Sequence, residues 1–293
     1  MRTKFKEKEY YMDPYIEPSA ISSDEIEDIE ITLLLEGIYR AYGFDFRNYL
    51  RSSLRRRMQL RMHSEGFTSI TALLEKVLHD PGFIKKIIND FSIRVTEMYR
   101  DPHFFLAFRN KIIPIIKDYP EIKIWHAGCS SGEEVYSMAI LLKEENLLHK
   151  AKIYATDMNE TVIEQAKEGK FPLKRMRTFT KNYLLAGGKK EFSTYYTTDH
   201  EKAIFHPELM SNVVFAQHNL ATDSTFNEFH IILCRNVLIY FDSILQQRVH
   251  QLFYESLTSD GFLALGNMES IIPAIKQQYD EFVPCERIYR KRQ

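Results

Sequence analysis

At Pro120 the sequence changes texture, and the change dictates an architecture. Before it, apolar residues recur at helical spacing over approximate spans 25–41, 46–63, 69–79, 82–92 and 102–118. The breaks fall at Gly43, Gly66, Pro81-Gly82 and Pro102, and Ser22-Ser23-Asp24-Glu25 forms the first helix start. After Pro120, short apolar runs alternate with helical stretches. IKIWHAG (122–128) precedes a helical pattern through 148, AKIYATD (151–157) one over 159–168, and HIILCRN (230–236) one near 242–258. VVFAQHNL (213–220), GFLALGN (261–267) and a closing pair near 281–291 complete the set. Such runs are strands buried on both faces, and helices between them require a mostly parallel sheet covered on both sides. The expected fold is therefore α/β over 120–293, preceded by an all-α N-terminal domain over 25–94 and a linker with a helix over 95–119. Interval 171–212 breaks the rhythm. There Gly187-Gly188 and the alternating EFSTYYTT and KAIFH predict a small antiparallel β-subdomain inserted into the sheet domain. Residues 1–24, with Pro14, Pro18 and no sustained period, are expected to form a mobile tail.

Composition excludes several function classes. At 44% hydrophobic and 27% charged, the chain has ample material for a core. Lys and Arg total 39 against 40 acids, so no chain-wide electrostatic grip on nucleic acid is expected. Cys129, Cys234 and Cys285 form no C-x-x-C pair, which argues a reducing compartment without a disulfide framework or structural zinc. No apolar run approaches the ~18 residues that cross a bilayer, and MRTKFKEKEYYMD lacks the apolar core of a secretory signal. The expectation is a soluble cytoplasmic protein, with no direct membrane insertion.

Five segments carry the chemistry. HAGCSSGEE (126–134) lies between a strand and a helix, where open parallel sheets bind ligands. It is neither G-x-G-x-x-G nor a P-loop, and Glu133 and Glu134 would repel a pyrophosphate. They suit a ligand bearing an ammonium or sulfonium group, although an acidic first helical turn is also ordinary dipole complementation. Asp157 ends the next strand, a position from which an acid bonds ribose hydroxyls or caps the following helix. In CRNVLIYFD (234–242), Arg235 and Asn236 at the end of an apolar strand need partners, either a ligand or a structural acid such as Asp242. Tyr240 adds a phenol at the same mouth. VTEMYRDPHFF (95–105) brings Thr96 and Arg100 just ahead of the sheet, in what is otherwise a plain interdomain linker. RNYLRSSLRRRMQLR (47–61) holds six arginines and no acid, with Arg51 and Arg55 on one helical face and Arg57 and Arg61 on another. Its ordinary reading is a solvated helix face paired with the acidic stretch from Asp24 to Glu30.

Taken in order, T-x-x-x-R before a phenylalanine pair, G-C-S-S-G-E-E-x-Y-S, A-T-D, N-L and C-R-N-V-L-I-Y-F-D resemble the CheR family. These are S-adenosylmethionine-dependent methyltransferases acting on chemotaxis receptor glutamates. LTSDGFLALGNMES (257–270) adds weaker support, and the resemblance spans roughly residues 30–290. It implies a Rossmann-like methyltransferase sheet with an inserted β-subdomain, behind a helical N-terminal domain. It also implies that Thr96 and Arg100 lie against the methionine end of the cofactor and Glu134 near its amino group. Asp157 would hold the ribose, Asn219 and Leu220 the adenosyl region, and Arg235 and Asn236 the floor of the pocket. Arg100 and Tyr240 would serve the transfer itself, Tyr240 close to the methyl-transfer point. Arg94, implied at the cofactor as well, stands two residues before the Thr where the family usually has Asn, and Val135 replaces a usual Pro. The implied cofactor is S-adenosylmethionine, with S-adenosylhomocysteine as product and no metal. The implied partners are the cytoplasmic domains of methyl-accepting receptors, met by a monomer. Arg51, Arg55, Arg57 and Arg61 would then dock the glutamate-rich substrate.

Other readings of the same residues are a methyltransferase of this fold acting on another protein or a small molecule, and a cofactor-binding signalling module without turnover. A nicotinamide dehydrogenase ranks last, because the turn lacks a third glycine and carries acids.

Overall fold

The structure, a computed structural model, describes residues 21–92 and 96–292. The expected tail therefore lies outside the described residues up to residue 20. Helix α1 (Ser23–Tyr42) opens at the start its sequence predicts, with Ser22 and Glu25 bonding reciprocally across the first turn as a capping box. α2 (Arg51–Glu65), α3 (Ile70–His79) and α4 (Ile84–Phe91) complete the N-terminal domain. Its core takes Ile31, Leu34, Leu35 and Ile38 from α1, while Ile26, Ile29 and Leu33 remain on the solvent side. α2 begins five residues later than its periodicity predicts. The reason is tertiary: Tyr49 pairs with Phe241 in an antiparallel bridge, and the Leu50 N–H donates to the Tyr240 carbonyl at 2.8 Å.

The helix expected over 102–118 is interrupted. α5 (Pro102–Ala107) passes through a π-helical stretch, Phe108–Ile112, into α6 (Ile113–Ile116). Pro114 lacks the N–H that the carbonyl four residues back would use, and the wider turn absorbs the mismatch.

The sheet domain runs β1 (Ile122–Ala127), α7 (Glu133–Glu144), β2 (Ala151–Asp157), α8 (Glu160–Glu168), then the insertion. The insertion holds β3 (Lys170–Pro172), α9 (Met176–Leu185), β4 (Tyr196–Asp199) and β5 (Lys202–Phe205), in a three-stranded sheet ordered β3-β5-β4. The antiparallel β4–β5 pair is the expected hairpin; the third strand and α9 exceed it. The chain then continues through β6 (Val213–Gln217), β7 (Phe229–Cys234), α10 (Ser243–Ser256), β8 (Leu257–Leu265), β9 (Tyr279–Val283) and β10 (Ile288–Lys291).

The main sheet has seven strands ordered β6-β2-β1-β7-β8-β10-β9, parallel except at the β8-β10-β9 end. Strand order reverses between β1 and β7, so a crevice opens beyond their carboxyl ends. Trp125, fully buried on β1, anchors one face, bonding Thr156 Oγ1 at 2.8 Å and packing edge-on against Phe253.

Candidate active site

The crevice at the strand switch is a cleft open to solvent, about 1030 Å³ with its open mouth included. Thr96, Arg100, Glu134, Asp157, Asn219 and Leu220 line it, and so do Arg235, Asn236 and Tyr240. One fold thus gathers residues predicted from five separate segments. Arg94 lies outside the described residues.

The β1–α7 turn has the backbone such a site needs. Gly128 sits at φ +83°, and a Cβ there would fall 2.6 Å from a Val237 methyl, so only glycine closes this wall. The N–H groups of Gly128 and Cys129 both donate to the Thr156 carbonyl, tying the turn to β2. Burial pushes the Cys129 thiol up, which makes it a space-filling residue and no nucleophile.

The two glutamates of the turn separate. Glu133 is buried beneath the insertion, where Ser131 and Arg175 bond it, and burial pushes its carboxyl up. Glu134 faces the cleft. Burial would raise its carboxyl too, but the His126 hydrogen bond and the Arg235 guanidinium overcome this and hold it below the usual range. Arg235 bonds Glu134 at 2.9 Å and Asp101 at 2.8 Å, and lies 4.1 Å from the centre of the Phe104 ring. The structural acid for Arg235 is therefore not Asp242, which caps α10 by accepting from the Leu245 N–H.

Asp157 ties down both neighbouring loops, accepting from the Ser130 N–H and the Asn159 N–H at 3.0 Å each. Beside it Ser130 Oγ is buried with no hydrogen-bond partner among the described residues, the state expected of a group that meets a ligand. These features fit a nucleoside carrying a positive charge at its far end. Thr96 is fixed through its carbonyl, which accepts from Arg175. Burial raises the Tyr240 phenol, with Arg57 and Arg100 pulling it back.

Sequence reasoning missed the wall contributed by the N-terminal domain. Tyr49, Phe91 and Ser92 line the same cleft, and the Tyr49 hydroxyl reaches Met158 Sδ at 3.4 Å. Asn159 clamps the domains together through Asn89 Oδ1 and Ser92 Oγ. The α2 arginines divide by partner. Arg51 bonds Thr32, Arg55 bonds Asp28 and Glu27, and Arg61 bonds Asp90 and Glu65. Arg57 is half-buried, donates to the carbonyls of Asp90 and Phe91, and lies 5.6 Å from the Tyr240 ring centre.

Comparison with known proteins converges on one family. Residues 94–287 match the CheR methyltransferase SAM binding domain and residues 29–92 the CheR methyltransferase all-alpha domain. A Pseudomonas putida protein provisionally named methyltransferase Cher3 is 47% identical over 272 residues, covering 92% of this chain and 100% of its own length. The chemotaxis protein methyltransferase of Borreliella burgdorferi is 29% identical over 83% of this chain and 88% of its own. That of Escherichia coli is 28% identical, over 84% and 85%.

Proposed function

The chain belongs to the CheR methyltransferase family, and on that premise we propose that it methylates glutamate side chains of chemotaxis receptors, giving methyl esters. The observation that carries this reading is the cleft: Glu134 in the first turn of α7 and Asp157 at the end of β2 line it together with Tyr240. Bound there, S-adenosylmethionine supplies a sulfonium methyl group open to direct displacement. Glu134 would face its ammonium end, Asp157 its ribose, and Asn219 and Leu220 its adenosyl region. Thr96 and Arg100 would hold the methionine end, and Arg235 and Asn236 the floor.

A receptor glutamate, with a pKa of about 4.3, is already ionised at neutral pH, so the protein has no proton to remove. Its task is to align the carboxylate, exclude water and let Tyr240 position the reacting groups. Receptor signalling domains place the reaction in the cytoplasm; among the described residues no helix is long and apolar enough to cross a membrane.

The arginines of α2 would meet the acidic substrate. Arg55 is engaged with Asp28 and Glu27, but pairs this exposed are worth little, about 0–1 kcal/mol, so a glutamate-rich surface can compete for it. Reversing Arg51 and Arg55 to Glu should lower kcat/KM for receptor about tenfold or more at low salt. Affinity for S-adenosylhomocysteine should stay at the wild-type value. Receptor methylation at the wild-type rate in the folded double mutant would remove α2 from docking.

A further inference from the structure

The segment that brings Asn236 and Tyr240 to the cleft holds no more regular structure than one 3-10 turn, Leu238–Tyr240. Asn236 sits at φ +62°, a left-handed conformation that a non-glycine residue keeps only when its surroundings impose it. What imposes it is Glu269, 5% exposed, in the loop after β8. Glu269 Oε2 accepts from the Asn236 N–H at 2.8 Å and the Gly266 N–H at 2.6 Å. Its Oε1 accepts from the N–H groups of Val237 at 2.8 Å, Leu238 at 2.7 Å and Ile239 at 3.3 Å. Each consecutive amide from 236 to 239 thus points at one buried carboxylate. The opposite side of the segment is also fixed: the Val237 carbonyl accepts from the Tyr240 N–H, and the Tyr240 carbonyl from Leu50. Gly266 leaves room for the arrangement, since a Cβ there would lie 2.7 Å from Glu269 Oε2 and 2.8 Å from the Asn236 nitrogen.

We infer that Glu269 is a positioning residue for methyl transfer: its carboxylate sets the 236–239 backbone that aims the Asn236 and Tyr240 side chains into the cleft. Glu269 does not line the cleft itself, so it acts through those two residues. Only a carboxylate serves, because both of its oxygens accept. In Glu269→Gln one of them becomes an NH2 group that faces N–H donors, so the amides on that side lose their acceptor. The same substitution removes no bond to Glu134 or Asp157, and Asn236 and Val237 are only part of the pocket wall, so cofactor affinity should fall less than turnover. The inference rests on the proposed methyl transfer for its kinetic part only.

The test compares wild type with Glu269→Gln, and with Glu269→Asp should the first variant fail to fold. Three readouts apply: amide hydrogen exchange of the ligand-free protein, calorimetric affinity for S-adenosylhomocysteine, and single-turnover methyl transfer. Expected are faster exchange confined to Asn236–Ile239 and Gly266, and a loss of S-adenosylhomocysteine affinity within about threefold. Turnover should fall about 10- to 100-fold, the scale of a misplaced reacting group. Wild-type exchange in that segment, or a lowered Tm with unchanged turnover per folded molecule, would overturn the inference and leave Glu269 a fold-holding residue. If the wild-type protein itself transferred no methyl group to receptor, the functional reading would fail, while exchange and affinity would still decide for or against Glu269.

Discussion

Arg235→Ala is expected to destabilise the protein by about 3–5 kcal/mol, the cost of removing one partner from a buried ion pair. The Arg235 side chain is 1% exposed, and its two ion pairs hold Glu134 and Asp101. Without it, two acids face an unoccupied volume, and the stacking on Phe104 is lost as well. At about 2–4 °C per kcal/mol for a chain of this size, Tm should fall by roughly 10 °C. The variant should also respond differently to acid. In the wild type the Glu134 pKa is depressed on folding, so its contribution is present above the ordinary glutamate range and is lost only as pH falls through the lower folded value. Removing the Arg235 charge lets burial push the Glu134 carboxyl back up, so the stability deficit of the variant should be largest near neutral pH and should narrow as acid protonates Glu134. A thermal melt series from pH 7 to pH 4 measures both effects. A variant melting within a degree or two of wild type would show that the network contributes little.

Asp157→Ala should weaken S-adenosylhomocysteine binding by about 1–3 kcal/mol, or roughly 5- to 150-fold in Kd. The carboxylate would accept from ribose hydroxyls, and it also bonds the Ser130 and Asn159 N–H groups that shape the two loops around the ligand. Alanine removes both functions. Asp157→Asn keeps one oxygen acceptor and the shape, and should recover part of the loss. Calorimetry showing unchanged affinity in Asp157→Ala would remove this residue from the site.

What could be read from the sequence was whatever local pattern encodes. β1, β2 and β7 are short apolar runs with helical patterns after them, and their carboxyl ends carry the turn at Gly128, Asp157 and Arg235. Tertiary partners were not legible. Arg235 finds Asp101 134 residues away, Tyr49 finds Met158 109 away, and Glu269 reaches the Asn236 backbone from 33 away. Nothing in the neighbouring residues specifies those meetings. Two features did leave a local signal that the reading passed over. Met176, Phe179 and Tyr183 recur at helical spacing in α9, and Pro114 marks the break in the helix before β1. The late start of α2 is likewise tertiary, because Tyr49 pairs with Phe241 instead of joining the helix.

The central claim is tested most directly by incubating the purified protein with methyl-labelled S-adenosylmethionine and membranes containing chemotaxis receptors. The account predicts label on a receptor-sized band that is released by mild base as a carboxyl methyl ester would be, and that is absent when the protein is omitted. Label that resists base, label that appears on a small molecule or another protein, or no transfer by a preparation that binds S-adenosylhomocysteine would contradict it.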